Sequence, residues 1–473
     1  MPSATLNGVR SLTNNKDPAA TGNSVFNVMP SDSERIHNLT NLDPPYPSES
    51  LTFLRTLRAQ RDIDSNVSTT PEQARLKLEI TIVGAGLGGI ATAIALARRG
   101  HSVLILEQAP ELGEVGAGIQ IPPNSGRLLR KWGVSKHLQK SAVQPESINF
   151  RRWQDGSVIG YTDLGSEFKT LYEEPYQVVH RAHFHDALYQ RAVELGVKVK
   201  LNSRVVEYDA EGAAVVLEDG SIVKSDLVIA ADGVKSVARS LIHPQGNHEP
   251  RLSGFAAYRA TVDVSKMRSD PEIAQIIERP SLNIWIGEDR HIMTYTIAGG
   301  NSFNMVLSHK DLSDPSTWVQ ESAVENMKKE FSGWDPKLII LGDAAHAMLP
   351  YMSEGAAMAV EDGAAIAVAI NRLHSTKELR FALKTFEVER IKRSGDMVDA
   401  SAINGILWHF ADGPEQQARD AAMRAEVEGR SFSSSANQWS DPVTQNWAYG
   451  YDAEKAMQDA WDQAVSDLIA ERV

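Results

Sequence analysis

Apolar and polar positions follow two different periods along this chain, and the change between them divides it. From Glu79 an apolar run, "EITIVGAG", ends in a glycine turn. It is followed by the helix-period stretch "LGGIATAIALARRG" and a second apolar run, "HSVLILE". Strand, helix and strand in that order predict a βαβ unit and a parallel sheet. A further helix–strand pair is expected over His185–Val205, and "AAVVLEDGSIV" (Ala213–Val223) predicts a hairpin turning at Asp219 and Gly220. Between Gly254 and His309 the period drops to two. The runs "FAAYRATVDV", "LNIWIG", "HIMTYTIAGG" and "FNMVLSHK" read as strands of an antiparallel meander laid into the first domain. From Leu338 the parallel pattern returns, and the chain finishes in helices.

Residues 1–78 share neither period. They are rich in Ser, Asn, Pro and Thr and predict a mostly disordered extension, with only "LTFLRTLRAQR" (Leu51–Arg61) able to form a short amphipathic helix. The remaining boundaries follow the changes of period. Residues 79–250 form a first nucleotide-binding part and 251–336 the antiparallel layer. Residues 337–400 complete the nucleotide-binding part, and 401–473 form a C-terminal helical region.

Composition narrows the chemistry. A net charge of −13 over 473 residues, with no cluster of Lys and Arg, argues against a nucleic-acid partner. The absence of cysteine removes disulfides, thiolate metal sites and thiol nucleophiles together. No apolar run reaches the roughly 18 residues of a membrane span; the Ala-rich stretch Ala356–Ile370 is interrupted by Glu361 and Asp362. The N-terminus carries no apolar signal core, so the expected location is cytoplasmic.

Gly84, Gly86 and Gly89 fit G-x-G-x-x-G between a strand and a helix. In such a turn the first glycine permits the bend, the second lets backbone approach a pyrophosphate, and the third allows close helix–strand packing. The helix start then presents free N–H groups to the phosphates. Glu107 closes the second strand, about 20 residues on, where an acid takes ribose hydroxyls. Two more apolar strands end in acids: "SDLVIAADG" at Asp232 and "LIILGDAAHAMLP" at Asp343. One such acid would read as a turn former or helix cap. Three strand-terminal acids in this order are better explained by one extended ligand beyond the carboxyl ends of a parallel sheet.

These motifs, with Arg239 after the Asp-Gly pair, "GAAMAVEDG" (Gly355–Gly363) and "NWAYGYDAE" (Asn446–Glu454), resemble the single-component FAD-dependent aromatic hydroxylases. The likeness is greatest to the salicylate-hydroxylase-like flavoprotein monooxygenases, including those that tailor polyketides. The resemblance implies an α/β fold: a Rossmann-type FAD-binding parallel sheet, an inserted antiparallel substrate layer and C-terminal helices. It implies FAD as cofactor and NADH or NADPH as co-substrate. O₂ would add to the reduced flavin as a C4a-hydroperoxide, whose distal oxygen passes to a phenolic ring. The setting would be secondary-metabolite biosynthesis or aromatic catabolism.

By the same resemblance Glu107 would bind the adenosine ribose, and Ala117 and Gly118 would lie beside the cofactor. Arg181 would reach the phosphates or the ribityl chain, and Asp343 would accept from the ribityl hydroxyls. Pro350 would flank the ring, and the helix from Gly355 and Ala356 would aim N–H groups at its pyrimidine edge. Arg259 and Tyr295, in the antiparallel layer, would bind or polarise the phenol. His346 reads equally as a local hydrogen-bonding residue near the flavin and as a core residue.

One departure stands out. Pro336 is followed almost at once by Leu338, where the family places a further helix and strand. Two other readings therefore stand beside hydroxylation: a flavin oxidase or dehydrogenase on the same fold, and an FAD-binding protein without turnover. A plain NAD dehydrogenase leaves the Gly-Asp motif unexplained.

Overall fold

The computed structural model describes residues 71–113, 118–209, 212–233, 236–238, 254–268, 271–311 and 350–470. Its first half runs β1 (Glu79–Val83), α1 (Leu87–Ala97), β2 (Ser102–Leu106), β3 (Gly118–Ile121), α2 (Pro123–Trp132), β4 (Ser147–Arg152) and β5 (Val158–Asp163). There follow β6 (Gln177–His180), α3 (Arg181–Glu194), β7 (Lys198–Lys200), β8 (Val205–Asp209), β9 (Ala214–Leu217), β10 (Ile222–Lys224) and β11 (Leu227–Ala230). The second half contains β12 (Phe255–Asp263), β13 (Ser281–Gly287), β14 (Arg290–Ile297) and β15 (Ser302–Lys310). The long helices α4 (Gly355–Asn371) and α5 (Leu379–Trp408) come next, then α6 (Pro442–Tyr449) and α7 (Ala453–Ala470).

The parallel sheet has the order β11-β1-β2-β7. Its strands are continuous apolar runs because both faces are covered, as parallel sheets require. Ile80, Ile82 and Ile105 bury against Ile90 and Ile94 of α1 and against the alanine-rich α4. The small residues of α4 have a packing reason. A Cβ on Gly363 would lie 2.9 Å from Thr92 Cα, so α4 crosses α1 nearly backbone to backbone. The predicted hairpin forms as β9–β10, with Gly220 at φ 83° in its turn.

The second sheet has six strands in the order β12-β15-β14-β13-β4-β5. All four expected period-two runs are strands, yet they do not form a simple meander. β12 pairs with β15 instead of its neighbour in sequence, and β13 pairs in parallel with β4, Ile284 opposite Phe150. The layer therefore reaches outside 251–336: β4 and β5, within the stretch given to the nucleotide-binding part, belong to it. A two-faced sheet needs both edges of its apolar face continued, and Ile148 and Phe150 extend the face made by Leu282, Ile284 and Ile286.

Alternation then sorts the side chains. Met293, Tyr295 and Ile297 of β14 face Tyr176, Met397, Trp408 and Tyr449, while Ile292, Phe303, Met305 and Leu307 cover Val264 and Met267. The expected boundary at residue 400 falls inside α5, a 30-residue helix that serves both sheets. No helix among the described residues is long and apolar enough to cross a membrane. The Leu51–Arg61 helix, Arg239, His346 and the junction at Pro336 lie outside the described residues.

Candidate active site

The glycine turn after β1 is built as its spacing predicts. Gly84 sits at φ 104°, and a Cβ there would meet Ala231 O at 2.3 Å. A Cβ on Gly89 would meet Gly84 O at 2.1 Å, so helix and strand touch through their backbones. Gly86 is different, because a Cβ there would have nothing within 4 Å. It opens on free space at the first turn of α1, whose start has no side-chain cap. Uncapped N–H groups facing an open approach suit a pyrophosphate.

Glu107 is fixed at that turn. Its Oε2 accepts the Ala85 N–H at 2.7 Å and its Oε1 the Ala109 N–H at 2.8 Å. The carboxylate thus closes the loop and keeps lone pairs for further donors such as ribose hydroxyls. Buried His185, which the sequence did not single out, meets Ala85 O through Nε2 at 2.7 Å. A carbonyl only accepts, so Nε2 carries the proton. Arg181 opens α3 and is half-buried. Asp232 Oδ2 accepts from Tyr208 Oη at 3.0 Å and from the N–H groups of Val237 and Ala238. That oxygen fastens the turn after β11 to the hairpin sheet.

The second part of the site is the start of α4. The chain enters through a short turn at Pro350–Met352, passes Ser353 at φ 59°, and begins the helix at Gly355 and buried Ala356 with no side-chain cap. Beneath it lies a charged core, formed by the acids that interrupt the Ala-rich stretch Ala356–Ile370. Glu361, fully buried, receives Arg390 and Arg393 at 3.0 Å each, and Arg390 Nε reaches Asp362 at 2.7 Å. The two arginines hold the Glu361 carboxyl below its ordinary pKa against the opposing effect of burial. Arg393 also donates to the carbonyls of Trp447 and Ala448 and lies 4.1 Å over the Tyr451 ring. The motifs "GAAMAVEDG" and "NWAYGYDAE" are thus the two sides of one clamp.

The third part is where β3 crosses the six-stranded sheet. Tyr295 is 2% exposed, and its ring lies on Gly118 so closely that a Cβ there would be 2.4 Å from Cε2. Asn304, opposite Tyr295 on β15, accepts the Gly118 N–H at 2.8 Å. Burial pushes the Tyr295 hydroxyl well above its ordinary pKa, an effect opposed by the Arg259 charge and by a hydrogen bond from Gln120. Gln120 in turn accepts from Tyr176 Oη. Arg259 pairs with Val306, which pairs with Met293, so alternation puts Arg259 and Tyr295 on one face. Ala117 and Asp343 lie outside the described residues.

Residues 77–331 match the family model described as "FAD binding domain". The FAD-dependent monooxygenase OpS4 of Beauveria bassiana (strain ARSEF 2860) is 33% identical over 412 residues, 80% of this chain and 96% of OpS4. The chain belongs to the FAD-dependent monooxygenases. The monooxygenase is also 31% identical over 407 residues to 3-hydroxybenzoate 6-hydroxylase 1 of Aquipseudomonas alcaligenes, covering 78% of this chain and 97% of that one. Its fold matches that of a salicylate hydroxylase solved as a substrate complex, with a TM-score of 0.63 and 22% identity over 81% of this chain and 98% of the other. As an FAD-dependent aromatic monooxygenase it is an oxidoreductase, and the resemblance read from the sequence holds.

Several residues around the site were not evident from the sequence: Asn304, Gln120, Tyr176, Asn124, Arg390 and Arg393. The arginines left one signal, a spacing of three on a helix opposite an acid pair in an otherwise apolar run. The amides and Tyr176 left none, because their partners lie far away in sequence.

Proposed function

We propose that this monooxygenase uses NADH or NADPH and O₂ to hydroxylate a small phenolic ring, in the manner of the hydroxybenzoate hydroxylases among its relatives. The observation that carries the reading is the seating of Tyr295 on Gly118, with Arg259 on the same sheet face. A phenol-binding layer and a strand of the FAD-binding part meet there in direct contact.

The cradle fits FAD: free space at Gly86, an uncapped α1 and Glu107 at the loop support the adenosine half, and the uncapped start of α4 supports the ring. Gly84, Gly86, Gly89, Glu107 and Arg181 would hold the nucleotide, while Asp343, Pro350, Gly355 and Ala356 would flank the ribityl chain and ring. When bound, FAD supplies hydride acceptance and oxygen activation.

The chain's own residues orient and polarise. Arg259 offers a planar fork to a phenolate or carboxylate. Tyr295, held protonated by its surroundings, donates one hydrogen bond. Holding the substrate oxygen in its anionic form enriches the ring carbon that accepts oxygen. Relatives named for 3-hydroxybenzoate and 3-amino-4-hydroxybenzoate support a hydroxylated benzoate or a phenol of similar size.

Purified protein should retain flavin absorbance on desalting and oxidise NAD(P)H faster in the presence of hydroxybenzoates or simple phenols. Label from ¹⁸O₂ in the product separates hydroxylation from oxidase chemistry. NAD(P)H oxidation that no phenol stimulates, with all oxygen recovered as peroxide, would sink the proposal. Arg259→Lys and Tyr295→Phe should each lower kcat/KM by roughly ten- to a hundredfold, the loss expected for one hydrogen bond to a charged group.

A further inference from the structure

Glu354, the residue before Gly355, is 1% exposed. Its Oε2 accepts from Asn124 Nδ2 at 2.9 Å, and the same nitrogen donates to Glu361 Oε1 at 2.8 Å. Its Oε1 is buried and has no hydrogen-bond partner among the described residues.

One amide therefore bridges two carboxyls that are not equivalent. Glu361 has the ion pairs with Arg390 and Arg393, and Asp362 shares Arg390. Two buried cations are balanced by these two anions. The other ionisable groups facing Glu354 are Tyr176 and Tyr449, and both are held neutral by burial. A third carboxylate would leave one uncompensated negative charge in the interior, which is costly without a partner.

We propose that Glu354 is a positioning residue that remains a neutral carboxylic acid, keeping the start of α4 free of side-chain negative charge so that the helix end can hold an anionic ring. The inference rests on the reading that the flavin ring lies at this helix start. Helix N-termini favour a nearby anion, and a carboxylate on the preceding residue would compete for the same field. Burial, reinforced by Glu361 and only partly offset by Arg393 and the Asn124 hydrogen bond, pushes Glu354 up to about 8, so the acid form holds at neutral pH. Proton and anionic ring then bind with positive coupling.

The test measures FAD affinity by flavin fluorescence and the flavin midpoint potential, from pH 6.5 to 9.5, on wild type and Glu354→Gln. Above pH 8, the wild-type midpoint potential should fall more steeply with pH than reduction to an anionic ring alone requires, because reduction then also draws a proton onto Glu354; the affinity for oxidised FAD, whose ring is neutral, should change less. The Gln variant, neutral throughout, should lack that additional pH dependence of the potential. Profiles that run parallel in the two proteins, both loaded with FAD, would overturn the role of Glu354. A wild type that binds no FAD at any pH would instead overturn the flavin placement, and this inference with it. Should the Gln variant not fold, the infrared difference spectrum of wild type at pH 7, with minus without FAD, decides. A carboxylic-acid band that shifts on binding supports the neutral acid, and its absence overturns it.

Discussion

Gly118 is required by contact, since its φ lies outside the left-handed region and any residue could adopt its backbone conformation. What excludes a side chain is the Tyr295 ring, within 2.4 Å of where a Cβ would be. Gly118→Ala must displace either β3 or the ring, and overpacking of this kind costs about 1–3 kcal/mol. A lower thermal midpoint is expected, together with weaker binding of phenols. Restoring space with the double variant Gly118→Ala, Tyr295→Phe should recover little, because the ring clashes as well as the hydroxyl. A Gly118→Ala variant with wild-type stability and phenol affinity would show that the contact does not organise the site. Gly118 and Tyr295 are each singled out as candidates by the resemblance of their motifs. That they touch was not legible, since their contact depends on how a two-strand unit lies across a six-strand sheet.

At the scale of elements, α5 links the two halves of the site. Near its middle Arg390 and Arg393 grip Glu361, and at its end Trp408 and His409 pack against His291 of β14. Glu361→Gln leaves two arginines buried with one anion between them. Breaking a buried ion pair from one side costs about 3–5 kcal/mol, so the urea midpoint should drop sharply. Glu361→Asp, which keeps the charge, should drop less.

The other end of α5 is sensitive to acid. His291 Nδ1 lies 3.0 Å from His409 Nε2, so the pair shares one proton at that contact. Burial lowers both rings, His409 to about 4 and His291 well below its ordinary value. The unfolded chain protonates these rings near 6.5. Their contribution to stability is therefore full above that pH and is lost as pH falls toward 4. Urea midpoints measured from pH 7 to pH 5 should fall more steeply for wild type than for His409→Gln. Equal slopes would mean that the pair does not titrate on unfolding. Nothing along the sequence joins His291 to His409, since both are lone histidines on apolar elements.

At the scale of the whole molecule, the parallel half was readable almost strand by strand, because a buried parallel strand and a glycine turn leave local marks. The antiparallel layer was readable as strands but not as a sheet. Period two establishes which residues alternate, and pairing order depends on where the apolar face is continued. The same holds for domain limits, as β4 carries no sign in its own residues that its partner is β13.

That pairing bears on how the chain reaches its native state. β13 completes its hydrogen bonds on β4, across all the chain from β5 to β12, and such distant closure is slow because loop entropy is lost before contacts form. During synthesis β4 and β5 emerge as a two-strand ribbon, too small to be stable by itself. They must wait for β13 with apolar Ile148 and Phe150 uncovered. A fragment beginning after β5, with β12–β15 intact, should accordingly remain unfolded by circular dichroism. Coexpression with the N-terminal fragment through β11 should restore it. The six-stranded layer is thus made from two separate stretches of chain, β4–β5 and β12–β15, and each is expected to need the other in order to fold.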